Sequence, residues 1–235
     1  MDFTGEQYIP GISKKRLADE HVERYKYALN FAKDCTVLDI ACGTGYGSYE
    51  LTKEAQRVIG VDLSQESIDY AKANYVTGNL EYLNASATDE LFAENTFDLI
   101  CSFETIEHLD QPDRSIYLNN MAKWLKPNGI LLLSTPNKKI TSPFTKKPLN
   151  KYHVLEFTEK NLIAELKPFF QIYDKLGQRL INKFFTFYII RKTISFTQKI
   201  LHYDFHIYDL ANGPEIMQYN KNQVPRIFVF ILKKL

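Results

Sequence analysis

Two carboxylates and an imidazole stand close together in Phe103-Glu104-Thr105-Ile106-Glu107-His108-Leu109, just after the apolar run Phe97-Asp98-Leu99-Ile100-Cys101. If a helix starts where that run ends, the spacing i, i+3, i+4 puts Glu104, Glu107 and His108 on one face. Such a set offers two kinds of chemistry. His108 or a carboxylate can act as a general base toward a hydroxyl. Joined by a further imidazole, the same groups can hold a divalent cation, which lowers the pKa of a bound hydroxyl and orients it. His153, in Asn150-Lys151-Tyr152-His153-Val154-Leu155-Glu156-Phe157-Thr158, is a candidate fourth ligand. Carboxylates mixed with imidazoles suit Mg²⁺, Mn²⁺ or Fe²⁺, and the imidazoles make a pure magnesium preference less natural. The plain alternative is a solvated helix face.

A second constellation precedes it. Val37-Leu38-Asp39-Ile40-Ala41-Cys42-Gly43-Thr44-Gly45-Tyr46-Gly47 is a β-type run opening into a glycine loop. Position 48 is Ser, so the G-x-G-x-x-G dinucleotide fingerprint fails at its third glycine. Asp39, just before the loop, would repel a pyrophosphate but suits an ammonium or sulfonium group. Asp62 closes the next strand, where an acid can accept hydrogen bonds from both hydroxyls of a ribose. The implied ligand has a ribose and a positive charge and lacks a phosphate. S-adenosylmethionine (SAM) fits that description.

These residues need a scaffold. The 235-residue chain is 45% hydrophobic and 24% charged, with a formal net charge of +1, which suits one ordinary globular domain. It lacks the basic excess of a protein that grips nucleic acid through phosphates alone. Cys35, Cys42 and Cys101 have no metal-type spacing and read as reduced thiols. The N-terminal MDFTGEQYIPGISKK has no apolar core, and no apolar run approaches the roughly 20 residues that span a bilayer. The expectation is a cytoplasmic protein without a membrane span.

The spacing predicts a helix over 17–33 with Val22, Tyr25 and Leu29 on one face, then strands at 36–40, 58–61, 80–83, 99–102 and 130–134. Helices are expected between them: one to about Gln56, one from an N-cap at Ser64 to Asn74, and one from the opening stretch to near Lys126-Pro127-Asn128-Gly129. Short, uniformly apolar strands alternating with helices imply a doubly wound α/β architecture, a mostly parallel sheet with helices on both faces. Residues 137–156 read as a loop, 159–167 as a helix, 169–176 and 227–232 as strands. The aromatic-rich stretch 180–210 reads as an insertion before the last strand, forming local core, a homodimer face or an acceptor-binding cap.

In order, VLDIACGTGYG, VIGVDLS, FDLICSFETIEHL and LKPNGILLLSTPN resemble the class I SAM-dependent methyltransferases over roughly residues 35–137. The resemblance implies a Rossmann-like, seven-stranded sheet with its last strand antiparallel. It implies one methyltransferase domain over 1–235: an N-terminal lid and helix (1–34), a SAM-binding core (35–137), and a C-terminal part with a substrate loop and the aromatic insertion (138–235). The SAM-binding residues it implies are Asp39, Ala41, Gly43, Gly45, Asp62, Leu63, Ser86, Ala87 and Phe103. Many members carry Asp-Ala after the third strand to reach adenine; here Asn84-Ala85-Ser86-Ala87 stands instead, so backbone groups or Ser86 would read the base.

In that fold the end of the fourth strand faces the transferable methyl group, which brings Glu104, Glu107 and His108 to the reaction centre under the loop that carries His153. Glu-x-x-Glu-His with a distant His resembles the metal site of small-RNA 3′-terminal ribose 2′-O-methyltransferases. The lead-in around Gly5–Pro10 and His21–Tyr25, with SFETIEHL, STPN, HVLEFT and LGQR, is similar to bacterial methyltransferases of cell-surface polysaccharide and lipopolysaccharide synthesis. That implies transfer to a hydroxyl of a sugar, nucleotide sugar or glycan, with Tyr8 and Arg24 as further SAM contacts. RNA 3′-end methylation and methylation of a quinone-type small molecule are the alternatives; a nucleic-acid acceptor is disfavoured by charge.

Overall fold

The computed structural model describes residue 9, residues 13–187, residues 190 and 193, and residues 210–235. Strands β1 (Thr36–Ile40), β2 (Arg57–Asp62), β3 (Leu80–Asn84), β4 (Phe97–Phe103) and β5 (Leu125–Pro136) pair in parallel in the order β3-β2-β1-β4-β5. β8 (Gln223–Lys234) joins β5 antiparallel, and β6 (Phe170–Asn182) joins β8 antiparallel. A short edge strand β7 (Ile216–Gln218) makes the sheet eight-stranded, one more than the sequence reading gave. β6 and β8 also run longer than expected, because they pair with each other along most of their lengths.

Alternation along each strand divides the core into two layers. Leu38 and Ile40 of β1 pack with Tyr117, Met121 and Trp124 of α4 (Gln111–Trp124) and with Leu162 and Leu166 of the helix Glu159–Leu166. Val37 points the other way, with Ala28 and Ala32 of α1 (Lys15–Ala32) and Leu51 of α2 (Tyr46–Leu51). α3 (Gln65–Asn74) starts where Ser64 accepts from the Ser67 amide, as expected of an N-cap.

Two expectations are corrected. The buried face of α1 carries Glu20, Arg24, Tyr25, Ala28 and Ala32, so Val22 and Leu29 lie at its margin. Polar residues occupy that face because they meet partners under it: Glu20 pairs with Arg179 (2.7 Å) and Arg226 (2.6 Å), and Arg24 donates to Gln178 (3.0 Å). The opening stretch starts no α-helix either. Glu104 has φ +52°, and a single 3₁₀ turn covers Ile106–His108. The helix begins at α4, where Asp110 caps it with Pro112 in its first turn. Of the aromatic stretch, Phe184, Phe185 and Phe187 are described; Tyr188, Phe196, Tyr203, Phe205 and Tyr208, like Tyr8, lie outside the described residues.

Candidate active site

The ends of β1, β2 and β4 surround a cavity of about 230 Å³. Ala41, Gly43, Asp62 and Phe103 line it, joined by Tyr25 and Tyr46. Asp62 accepts from the Gly43 amide at Oδ2 and the Ser64 amide at Oδ1, each at 2.8 Å. Burial raises its pKa and these two bonds pull it back. They fix the carboxylate, and each oxygen keeps a further lone pair for a hydroxyl. Gly45 shapes the loop from outside the lining: it caps α2 at φ +80°, and a Cβ there would lie 2.6 Å from that of Ala71. Leu63 is largely exposed, and neither it nor Ser86 or Ala87 lines this cavity. Asn84 ties β3 to β2 by donating to the carbonyls of Asp62 (3.1 Å) and Leu63 (2.9 Å).

Asp39 is placed differently from the expectation that it meets the ligand's charge directly. On β1 it alternates to the α1 side, like Val37, and is buried beneath the loop. Its carboxylate accepts from Ser48 (2.6 Å) and from Tyr25 (3.1 Å to both oxygens). Burial pushes its pKa up to about 7 against the pull of those hydroxyls. Tyr25 lines the cavity, so it stands between Asp39 and any ligand there.

A second cavity of about 300 Å³ shares His21, Glu104 and His108 with the first, so the two meet at the end of β4. Glu107, fully buried, comes from the 3₁₀ turn; its Oε2 accepts from Thr135 (2.9 Å), and Oε1 has no hydrogen-bond partner. Burial and the nearby Glu104 charge push its pKa well above the usual carboxylate range. His108 Nδ1–H donates to the Tyr152 carbonyl (3.1 Å), which leaves Nε2 as the basic nitrogen. His153 donates from Nδ1 to Glu156 (2.9 Å) and accepts at Nε2 from Asn150 (2.9 Å). Its loop is held down by the Val154 amide, which donates to the Glu107 carbonyl at 2.9 Å.

One ligand-type atom each from Glu107, His108 and His153 fall within 4.8 Å of one another. Glu104 stands outside this group, which corrects the four-residue set. Its positive φ turns the side chain toward Ser134, whose hydroxyl donates to Oε1 at 2.7 Å, and toward Arg24 at 3.9 Å. Sequence reasoning missed His21 as a residue common to both cavities. The spacing of His21, Arg24 and Tyr25 on α1 was the available signal.

The sequence model of the methyltransferase domain family matches residues 37–129, from β1 to the start of β5's main run. A probable S-adenosylmethionine-dependent methyltransferase of Mycolicibacterium smegmatis is 29% identical over 75% of this chain and 68% of its own length. A ubiquinone biosynthesis O-methyltransferase of Bradyrhizobium diazoefficiens is 34% identical over 49% of this chain and 46% of its own. The N-methyltransferase NodS of Bradyrhizobium japonicum, solved with S-adenosyl-L-homocysteine, superposes with a TM-score of 0.62 at 15% identity over 95% of this chain and 89% of its own.

Over residues 37–129 the chain is similar to the class I SAM-dependent methyltransferases. Its strand order and helices on both faces are those of that fold, and the matched segment carries the loop and acid that surround the first cavity. Among the described residues, no helix is long and apolar enough to cross a membrane.

Proposed function

We propose that the protein transfers a methyl group from SAM to a hydroxyl of a sugar, free, nucleotide-linked or within a glycan, in the synthesis of cell-surface polysaccharide. The observation that carries the acceptor class is the wall of the second cavity: apart from Leu17 and Pro136, every residue lining it is polar. A flat quinol ring has little to pack against there, whereas a sugar can satisfy many donors and acceptors. The sequence similarity to polysaccharide-type methyltransferases points the same way, and the O-methyltransferase relative supports oxygen as the receiving atom.

SAM, when bound, supplies a methyl group on a positively charged sulfur. Asp62 accepts from its ribose hydroxyls, and the glycine loop lets the backbone come close to its methionine part. Arg24 is buried, with an Nε–H that has no hydrogen-bond partner, and lines the second cavity, where it is a donor toward the acceptor. The acceptor hydroxyl enters through the second cavity and reaches the methyl group where Glu104 and His108 line both spaces. His108, with its proton fixed on Nδ1, takes the hydroxyl proton at Nε2.

The same pocket fits a divalent cation. Glu107 Oε1 is a buried oxygen lacking a partner, and His108 and His153 stand beside it. Glu107, His108 and His153 would hold the ion, His153 by releasing Asn150. Its chemistry would be to acidify and orient one hydroxyl of a sugar diol; His108 would then serve as a ligand in place of a base.

The test is methyl transfer from tritiated SAM to a panel of nucleotide sugars, glycans, a catechol-type quinol and an RNA 3′ end. Label on a sugar is expected. Label on the quinol or the RNA alone would overturn the acceptor class.

A further inference from the structure

The loop after β5, which gives Asn150 and His153 to the second cavity, and the end of β6 carry an apolar and basic rim. Six of the thirteen exposed large apolar side chains among the described residues lie there: Phe144, Leu149, Tyr152, Val154, Phe184 and Phe187, between 39% and 66% exposed. The first four belong to the loop after β5, which also supplies His153 and Asn150 to the cavity wall. The other two lie at the end of β6, in or beside the 3₁₀ turn Lys183–Thr186. β5 and β6 are each antiparallel to β8, so both segments emerge at the same end of the sheet. Lys139, Lys183 and Lys221 line a common hollow of about 310 Å³, which places the loop, the β6 end and the turn before β8 side by side.

The charge on this rim departs from that of the chain. Overall there are 29 basic and 28 acidic residues, yet 138–155, 183–187 and 219–226 contain no Asp or Glu. They do contain the exposed lysines Lys139, Lys146, Lys147, Lys151, Lys183 and Lys221. Apolar side chains standing out among lysines fit one partner chemistry above others, since the acid that shares their hollow, Glu159, is already paired with Lys175 at 2.7 Å. Apolar tips enter the headgroup boundary while ammonium groups meet anionic lipid phosphates.

We propose that this rim docks the protein on an anionic bilayer surface, with the acceptor cavity opening at the lipid headgroups. The docking stands independently of the acceptor reading. Its corollary, that the sugar acceptor is anchored to a lipid, rests on that reading.

The experiment is flotation of the full chain with vesicles of pure phosphatidylcholine and of phosphatidylcholine with 30 mol% phosphatidylglycerol, without SAM or acceptor. Binding to the anionic vesicles alone is expected, weakened by 0.5 M salt. Lys146→Glu/Lys147→Glu and Phe144→Ser/Leu149→Ser should each weaken it by at least about tenfold. These residues are exposed and lie outside the catalytic groups, so methyl transfer to a soluble sugar should be unchanged. Equal binding to both vesicle types, no binding to either, or indifference to both double substitutions overturns the proposal. So does a dimer that the Phe144→Ser/Leu149→Ser variant abolishes while vesicles are ignored, or capture of single-stranded RNA in their place; each identifies a different occupant. Loss of sugar methylation with vesicle binding intact would strike the acceptor reading alone.

Discussion

Asp39→Asn should stabilise the protein above neutral pH and leave it little changed at pH 4. Asp39 is completely buried, and its folded pKa is pushed from 3.8 up to about 7, chiefly by burial. Between those values the folded chain holds a proton that the unfolded chain has released. Stability therefore falls as pH rises through that window and levels off above about 7. At about 1.4 kcal/mol per unit over roughly three units, the cost of ionising the buried group reaches about 4 kcal/mol. Asn carries no charge at any pH, and the hydroxyls of Ser48 and Tyr25 can accept from its amide as readily as they donate to the carboxylate. The variant should thus behave like the protonated wild type throughout. Urea unfolding at half-unit steps from pH 4 to 8.5, without SAM, gives the difference directly, because other titrating groups cancel. The difference should grow from near zero to several kcal/mol in favour of Asn. A flat difference, or a variant less stable at pH 8, would refute the reasoning that Asp39 pays a desolvation cost beneath the loop.

Two other outcomes follow from the same geometry. Gly47→Ala would place a Cβ 1.8 Å from the Tyr25 ring, which Asp39 and the α1 core hold in place. The gain of about 1 kcal/mol from a better helix former is outweighed by overpacking of about 1–3 kcal/mol, so thermal unfolding should show a lower midpoint; an unchanged or raised one would show that α1 yields. Were a cation held by Glu107, His108 and His153, Glu107→Gln, and separately exhaustive chelation, would abolish turnover while calorimetry shows SAM affinity within about threefold, because such an ion acts on the hydroxyl and not on SAM. Full activity after chelation would remove the cation and leave His108 as the base.

The parallel half of the sheet was legible because its strands are short and uniformly apolar, and the glycine loop because its residue types carry their own chemistry. Ser64 announced α3 as an ordinary cap. What escaped was set by tertiary contacts. β6 carries Gln178 and Arg179 inward because Arg24 and Glu20 of α1 wait beneath, so no alternation marks its second half. The i, i+3, i+4 pattern at Glu104 suggested a helix that Thr105 and Ile106 disfavour, while Asp110 and Pro112 marked the true start six residues later. The structure brings Glu107, His108 and His153 together; spacing spoke for the first two, and His153 was expected by way of a resemblance, since nothing local to it says where its loop folds back.

The central claim, that the first cavity is the methyl donor's, is tested most directly by calorimetric titration of SAM and of NAD into the purified chain. SAM should bind at one site, and Asp62→Ala should weaken it about a hundredfold, the loss of two charge-assisted hydrogen bonds at about 1.5 kcal/mol each. Binding of NAD with no binding of SAM, or SAM affinity indifferent to Asp62→Ala, would contradict it.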